Sequence, residues 1–326
     1  KKELDLLSKP ARFILISSTD SSPMAEKAFL SSAKSAPKND RPSLPRSQPR
    51  SQPKNHSPFV FRELHGISAK EALVAKISRN KHWFRGGLPP ALAAKSDKSF
   101  GTWTNNVTHE FILQQSSAPS PHKYSAEKLL QCLQMTAIAN GNILNLENLA
   151  RSLAVSGPTA KKYLAWLENA FLIRLLPACL PNNNKRLIKS PKIYLRNTGL
   201  LHTLLGIQNH AGLCSHPALA ASWETYVINE MYKLLPDKVS ACFYRTQHGA
   251  ETDLVLLKNN RVIACIDISL NENPAPSLGF KQCIADLNSK KNFIVYPGKT
   301  SFTGPDNIRI LSLESLLDKY LPALLK

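Results

Sequence analysis

Thr252-Asp-Leu-Val-Leu-Leu-Lys-Asn-Asn-Arg-Val-Ile-Ala-Cys-Ile-Asp-Ile-Ser269 holds two aliphatic runs around a polar break. Runs of this length, apolar on both faces, predict central strands covered by helices, over 252–257 and 261–269, joined by a three-residue turn at 258–260. Two acids interrupt them. Such a turn places Asp253 and Asp267 on one face, a diagonal step apart. Strand patterns over 239–244 and 292–296 and helical patterns over 217–235, 277–287 and 313–325 complete an α/β unit, residues 201–326. Glu224, on the helix before the first strand, adds a third carboxylate. Three carboxylates suit a hard cation, Mg2+ or Mn2+, which would activate water against a phosphodiester. For each acid the plainer alternative is pairing with Arg245 or with a helix N-terminus.

Upstream, Leu146, Leu149, Ala150 and Leu153 mark one face of a short helix, and Ala154–Gly157 reads as a tight turn. A second helix then carries Ala160, Tyr163, Leu164, Leu167 and Ala170 inward. This is helix-turn-helix spacing. Strands follow over 171–176 and 192–195, with the loop 181–186 between them as a wing, so residues 123–200 read as a winged helix-turn-helix. Ser156 can cap the second helix. Residues 140–200 carry nine basic and two acidic side chains. A DNA-facing surface of Arg151, Thr159, Lys161, Lys162, Lys185, Arg186 and Lys189 follows from that concentration. The competing reading is a module that only packs or binds protein.

Residues 59–122 read as a helical connector. Before it, residues 31–58 hold six basic residues, one acid, six prolines and seven serines, which is too little apolar surface to offset ordering; 37–58 is expected to be a disordered basic linker. Over residues 12–18 the run Arg-Phe-Ile-Leu-Ile-Ser-Ser reads as a buried parallel strand. Opening at Lys1 inside a helical pattern predicts a fragment of a longer protein.

With 42 Lys+Arg against 23 Asp+Glu the chain of 326 residues carries +19, which favours a polyanionic partner. Six cysteines without C-x-x-C spacing indicate neither a zinc site nor a disulfide framework, and a reduced, cytoplasmic location follows. Leu164–Leu180, the most apolar stretch, is broken by Glu168, Arg174 and Pro177, so no membrane span is expected. Gly298-Lys-Thr lacks the glycine a phosphate loop needs five positions earlier, where Phe293 stands. It is a chance match. Lone histidines such as His202 and His248 are read as structural.

Several motifs together resemble a known family. They are Arg85-Gly-Gly-Leu-Pro, Leu149-Ala-Arg-Ser-Leu-Ala-Val-Ser, the stretch from Lys185-Arg-Leu-Ile-Lys-Ser-Pro-Lys to Asn197-Thr-Gly-Leu-Leu, Ser222-Trp-Glu, Tyr244-Arg-Thr, and Gly249-Ala-Glu-Thr-Asp-Leu-Val-Leu. The chain resembles bacterial and archaeal AAA-type ATP-binding proteins that end in a restriction-endonuclease-like domain of unknown function. The resemblance implies a multidomain, mixed α/β and α fold, with residues 1–36 as a remnant of the ATPase core. Its late strand would end at the sensor residue Ser17 or Ser18. No phosphate-binding loop is present, so ATP is not an expected cofactor. The nuclease-like fold places a lysine two residues after its second-strand acid; here Asp267-Ile-Ser269 has serine. Lys281 is the one replacement considered.

The resulting expectation is a DNA-binding protein derived from an AAA-type ATPase, with ATPase activity lost and a nuclease-like domain that is silent. A metal-dependent nuclease using Glu224, Asp253 and Asp267 is the alternative from the enzyme class, and a protein-binding module that from the interaction class. DNA is the expected partner, alongside a second copy of the chain or an upstream ATPase fragment.

Overall fold

Short polar residues set where the helices begin. Ser68, Ser78, Ser125, Asn145 and Ser156 are extended, and each accepts a hydrogen bond from the backbone N–H three residues on. In the computed structural model these caps open α1 (Ala69–Val74), α2 (Arg79–Arg85), α5 (Ala126–Ile138), α6 (Leu146–Ser152) and α7 (Gly157–Asn169), with α3 (Pro89–Ala93) and α4 (Asp97–Ser116) between α2 and α5. The structure describes residues 63–116, 124–179 and 186–325, and His65–Lys326 form one compact unit. The ATPase remnant expected at 1–36, the linker at 37–58, Lys185 and nearly all of the expected wing loop lie outside the described residues.

After α7 come β1 (Ile173–Leu176) and β2 (Lys192–Leu195), an antiparallel pair with Ile173 opposite Leu195. Ile112, Leu129, Leu133, Leu153, Leu164 and Leu167 meet Ile173, Ile193 and Leu195 in one cluster. The 3.6-residue spacing of α6 and α7 thus turns one stripe of each into that core. Then follow α8 (Thr198–Leu204), α9 (His210–Cys214) and α10 (Leu219–Tyr232).

Six strands form a mixed sheet: β3 (Val239–Arg245), β4 (Glu251–Lys258), β5 (Arg261–Ile268), β6 (Asn292–Tyr296), β7 (Phe302–Thr303) and β8 (Arg309–Ser312), in the order β3-β4-β5-β6-β8-β7. The first three pair antiparallel, and β5, β6 and β8 are parallel. Between β5 and β6 lies α11 (Leu278–Asp286). Side chains alternate between two cores. Leu254, Leu256, Ala264, Ile266, Phe293 and Val295 pack with Trp223 and Val227 of α10, while Val255, Cys265, Ile294 and Tyr296 pack with Phe280 and Cys283 of α11. Both faces are covered, as the aliphatic runs require. β7 and β8 were not foreseen; β8 is only four residues long.

Two expectations are corrected. The β4–β5 turn has two residues, Asn259 and Asn260, both with positive φ (52° and 61°), the backbone that a tight hairpin twist demands. An irregularity beyond Leu256 shifts the register again, to Leu254 opposite Ile266. Continued one step, that register sets Asp253 opposite Asp267 rather than diagonal to it. Second, Cys179 and Cys242 form a disulfide across a separation of 63 residues. Spacing along the chain could not show it, and the argument from cysteines to a reducing compartment lapses. The segments flanking the expected wing loop run beside β3: Ala178 bridges Phe243 and Leu187 bridges Thr246. An outer strand has unpaired N–H and C=O groups, and these segments satisfy them. No described helix is long and apolar enough to cross a membrane.

Candidate functional site

Glu224, Asp253 and Asp267 line one open pocket of about 520 Å3, together with Lys192, Arg245, Glu251, Ser277 and Gly279. Each arrives by a separate route. Glu224 rides the buried helix α10, Glu251 and Asp253 open β4, Asp267 nears the end of β5, and Lys192 begins β2. At Gly279 an added Cβ would stand 2.8 Å from the Gly249 carbonyl oxygen, so only glycine lets α11 approach the β3–β4 turn this closely.

Sequence reading missed Lys192, whose ammonium lies at the centre. Its Nζ is 3.1 Å from Asp253 Oδ1, 3.2 Å from Glu224 Oε1 and 3.2 Å from Glu251 Oε1, and its side chain is 5% exposed. The Tyr194 hydroxyl donates to Glu224 Oε1, the Ile268 N–H donates to Asp253 Oδ2 at 2.9 Å, and Arg245 pairs with Glu251 at 3.3 Å. The Lys-x-Tyr spacing in a strand, which puts both side chains on one face, was the available signal.

Titration follows this geometry. Burial alone would lower the Lys192 ammonium, but Asp253, then Glu224 and Glu251, more than reverse that and raise it. Burial first, and then the Asp253 charge, push Glu224 up to about 7 and Asp267 up to about 8. Near neutrality, two ammonium and guanidinium charges therefore face carboxylates of which two hold protons readily.

The expected metal set departs from a cation centre at this point. Two of the three expected ligands are already engaged: Glu224 accepts from the Lys192 ammonium and the Tyr194 phenol, and Asp253 from the same ammonium and the Ile268 amide. Among the described residues no group of three or more His, Cys, Asp or Glu is placed to hold a metal ion. The donor set as arranged does not fit a divalent cation. Lys281, the one replacement considered for the lysine missing at position 269, has its ammonium paired with Asp306 at 2.8 Å instead.

The expected DNA-facing residues fall into two groups. Arg151, at the end of α6, and Lys161 and Lys162, in the first half of α7, are exposed, and Thr159 bonds the capping Ser156 at 2.8 Å. Arg186 and Lys189 are exposed on the segment beside β3, where Arg186 lines a second pocket with His248 and Gln282. Three of the nine basic residues counted over 140–200 turn inward instead. Arg174 donates to Asn229 and lies 3.7 Å from the Tyr232 ring centroid, Arg196 lies over Phe171, and Lys192 fills the carboxylate pocket.

The chain is similar over residues 78–211 to a domain of unknown function (DUF8612) and over residues 219–316 to another domain of unknown function (DUF4143). Among individual proteins, it is 33% identical over 255 residues to an uncharacterized protein of Mycobacterium bovis and equally to one of Mycobacterium tuberculosis. The match takes in 78% of this chain and 57% of each relative, so the chain spans little more than half the length of the curated relatives it matches. No solved structure matches it.

Proposed function

We propose that the chain binds duplex DNA through the α6–α7 helix pair, read as a winged helix-turn-helix, and that the β3–β8 unit is a restriction-endonuclease-like domain without nuclease activity. One observation carries the first part: Lys161 and Lys162 face solvent on the same helix whose Ala160, Tyr163, Leu164 and Leu167 are buried. A helix held by one face and cationic at the N-terminal half of the other matches the way such helices meet phosphates and base edges. Arg186 and Lys189 add exposed charge beside the sheet.

For the second part, the support is the order α10-β3-β4-β5-α11-β6 with acids on α10, β4 and β5, combined with Lys192 where a cation would be needed. Descent from an AAA-type ATPase rests on the sequence resemblance. The experiment is a fluorescence-anisotropy titration of a labelled 20-base-pair duplex with the full chain at two or more salt concentrations. Saturable binding that weakens as salt rises is expected, and salt-independent or absent binding would remove the reading.

A further inference from the structure

We infer that Lys192 is the resident cation of the carboxylate pocket and that it bars divalent metal ions from it. The inference is independent of DNA binding.

An ammonium has three N–H donors; Lys192 hydrogen-bonds Glu224 Oε1 at 3.2 Å and Asp253 Oδ1 at 3.1 Å, and Glu251 Oε1 stands in ion-pair range at 3.2 Å. Magnesium sits about 2.0–2.1 Å from its oxygen ligands and demands near-octahedral geometry. Glu224 Oε1 and Asp253 Oδ1 could not both approach an ion that closely while holding the ammonium between them, and the ion would meet a like charge at short range. One of the two cations must leave.

The backbone decides which. Lys192 is no mobile surface lysine: the β2 backbone is bonded on both sides, through the pairing with β1 and through Gly141 N–H to Ile193 O at 2.8 Å and Ile193 N–H to Asn142 O at 3.0 Å. Ile193, Tyr194 and Leu195 are fully buried, so the strand cannot slide without opening the core. A tethered cation also forfeits no translational freedom on binding, whereas a free ion must. Removing one member of a buried ion cluster leaves its partners uncompensated. Without Lys192 the same carboxylates would present bare oxygens.

The test uses Mn2+ itself. In the native chain, a Mn2+ titration monitored by amide NMR should leave the signals of Asp253, Asp267 and Ile268 as sharp as those remote from the pocket. In Lys192→Met, which keeps much of the length and loses the charge, those signals should broaden selectively, and calorimetry should give Mn2+ binding at least about tenfold tighter than native. Asp253→Asn added to that variant should abolish the gain, and Lys192→Arg, which retains a cation, should stay metal-free. Selective broadening in the native chain overturns the inference whether or not the methionine variant folds. A folded Lys192→Met chain without gained affinity overturns it equally.

Discussion

Nε2 of His202 lies 2.6 Å from Oγ of Ser222, with both side chains fully buried. The Trp83 indole N–H donates to the same Oγ, and the other ring nitrogen, Nδ1, lies 2.7 Å from the Phe84 carbonyl oxygen. A carbonyl only accepts, so Nδ1 carries the proton and the Ser222 hydroxyl donates to Nε2. This is a neutral imidazole tying α8, α2 and α10 together, in a position no substrate reaches.

Burial, above all, pushes His202 down to about 4. Unfolded, it titrates near 6.5, so between those values the unfolded chain binds more protons. Its contribution is intact above pH 6.5 and lost as pH falls toward 4. Urea unfolding at pH 7 and pH 5, followed by tryptophan fluorescence, should show a loss of stability on acidification that is smaller in His202→Asn. An equal loss in both would refute the assignment.

Asp267 has the opposite sign. Its folded value is raised to about 8, so from about pH 4 to 8 the native chain holds a proton that the unfolded chain has released, and its contribution declines as pH rises. Asparagine imitates the protonated acid. The stability of native relative to Asp267→Asn should therefore fall steadily from pH 4 to pH 8 in thermal melts; a difference that is flat or rises with pH would show the acid to be ionised.

The strands around Asp253 and Asp267, the helix pair over 146–169 and the cap at Ser156 were legible because each is dictated by local pattern: aliphatic runs, 3.6-residue spacing, a serine before a helix. Their convergence with Glu224 was legible too, because adjacent strands share a face. Lys192 was not. Its partners are 32 to 61 positions away in the sequence, and a lysine in a basic stretch looks the same whether it faces phosphate or carboxylate. The Cys179–Cys242 pairing was hidden for the same reason, since it depends on a loop laid along β3. Four-residue β8 was too short to carry a period.

Replacing Lys161 and Lys162 by alanine should weaken duplex binding and flatten its salt dependence. Each phosphate contact contributes about 0.9 to the slope of log K against log salt, so losing both should reduce it by about 2. Anisotropy titrations between low and moderate salt provide the check, and an unchanged slope would place the contact surface elsewhere.

No nicking of supercoiled plasmid is expected from the native chain in Mg2+ or Mn2+, because Lys192 holds carboxylates of the pocket and, on the proposed restriction-endonuclease-like reading, Ser269 stands where a lysine would be needed. The change most likely to restore it is Ser269→Lys combined with Lys192→Met, which moves the ammonium and frees the oxygens. A preorganised group of this kind is commonly worth about a hundred- to thousandfold in rate. Gel assays in which the native chain cuts plasmid, and Asp253→Asn does not, would reverse the conclusion.

Asn140 joins three elements. Its Oδ1 accepts from Leu195 N–H at 2.9 Å and its Nδ2 donates to Thr225 Oγ1 at 2.7 Å, with 4% of the residue exposed. Asn140→Ala leaves a buried amide and hydroxyl without these partners, and a loss of roughly 2–4 kcal/mol in denaturant unfolding is expected. A loss below about 1 kcal/mol would mean that other groups take over both bonds.

Because Lys192 precedes every carboxylate it binds, synthesis supplies the positive charge first. At roughly 5–20 residues per second, the ribosome adds Asp267 some 4–15 s after Lys192. Glu224, Glu251 and Asp253 appear in between, so none of these acids has to wait for its counter-charge. The order also makes the two matched regions unequal as separate pieces. One beginning at residue 219 would carry the acids of α10, β4 and β5 without Lys192, and self-repulsion would work against its closing into the sheet.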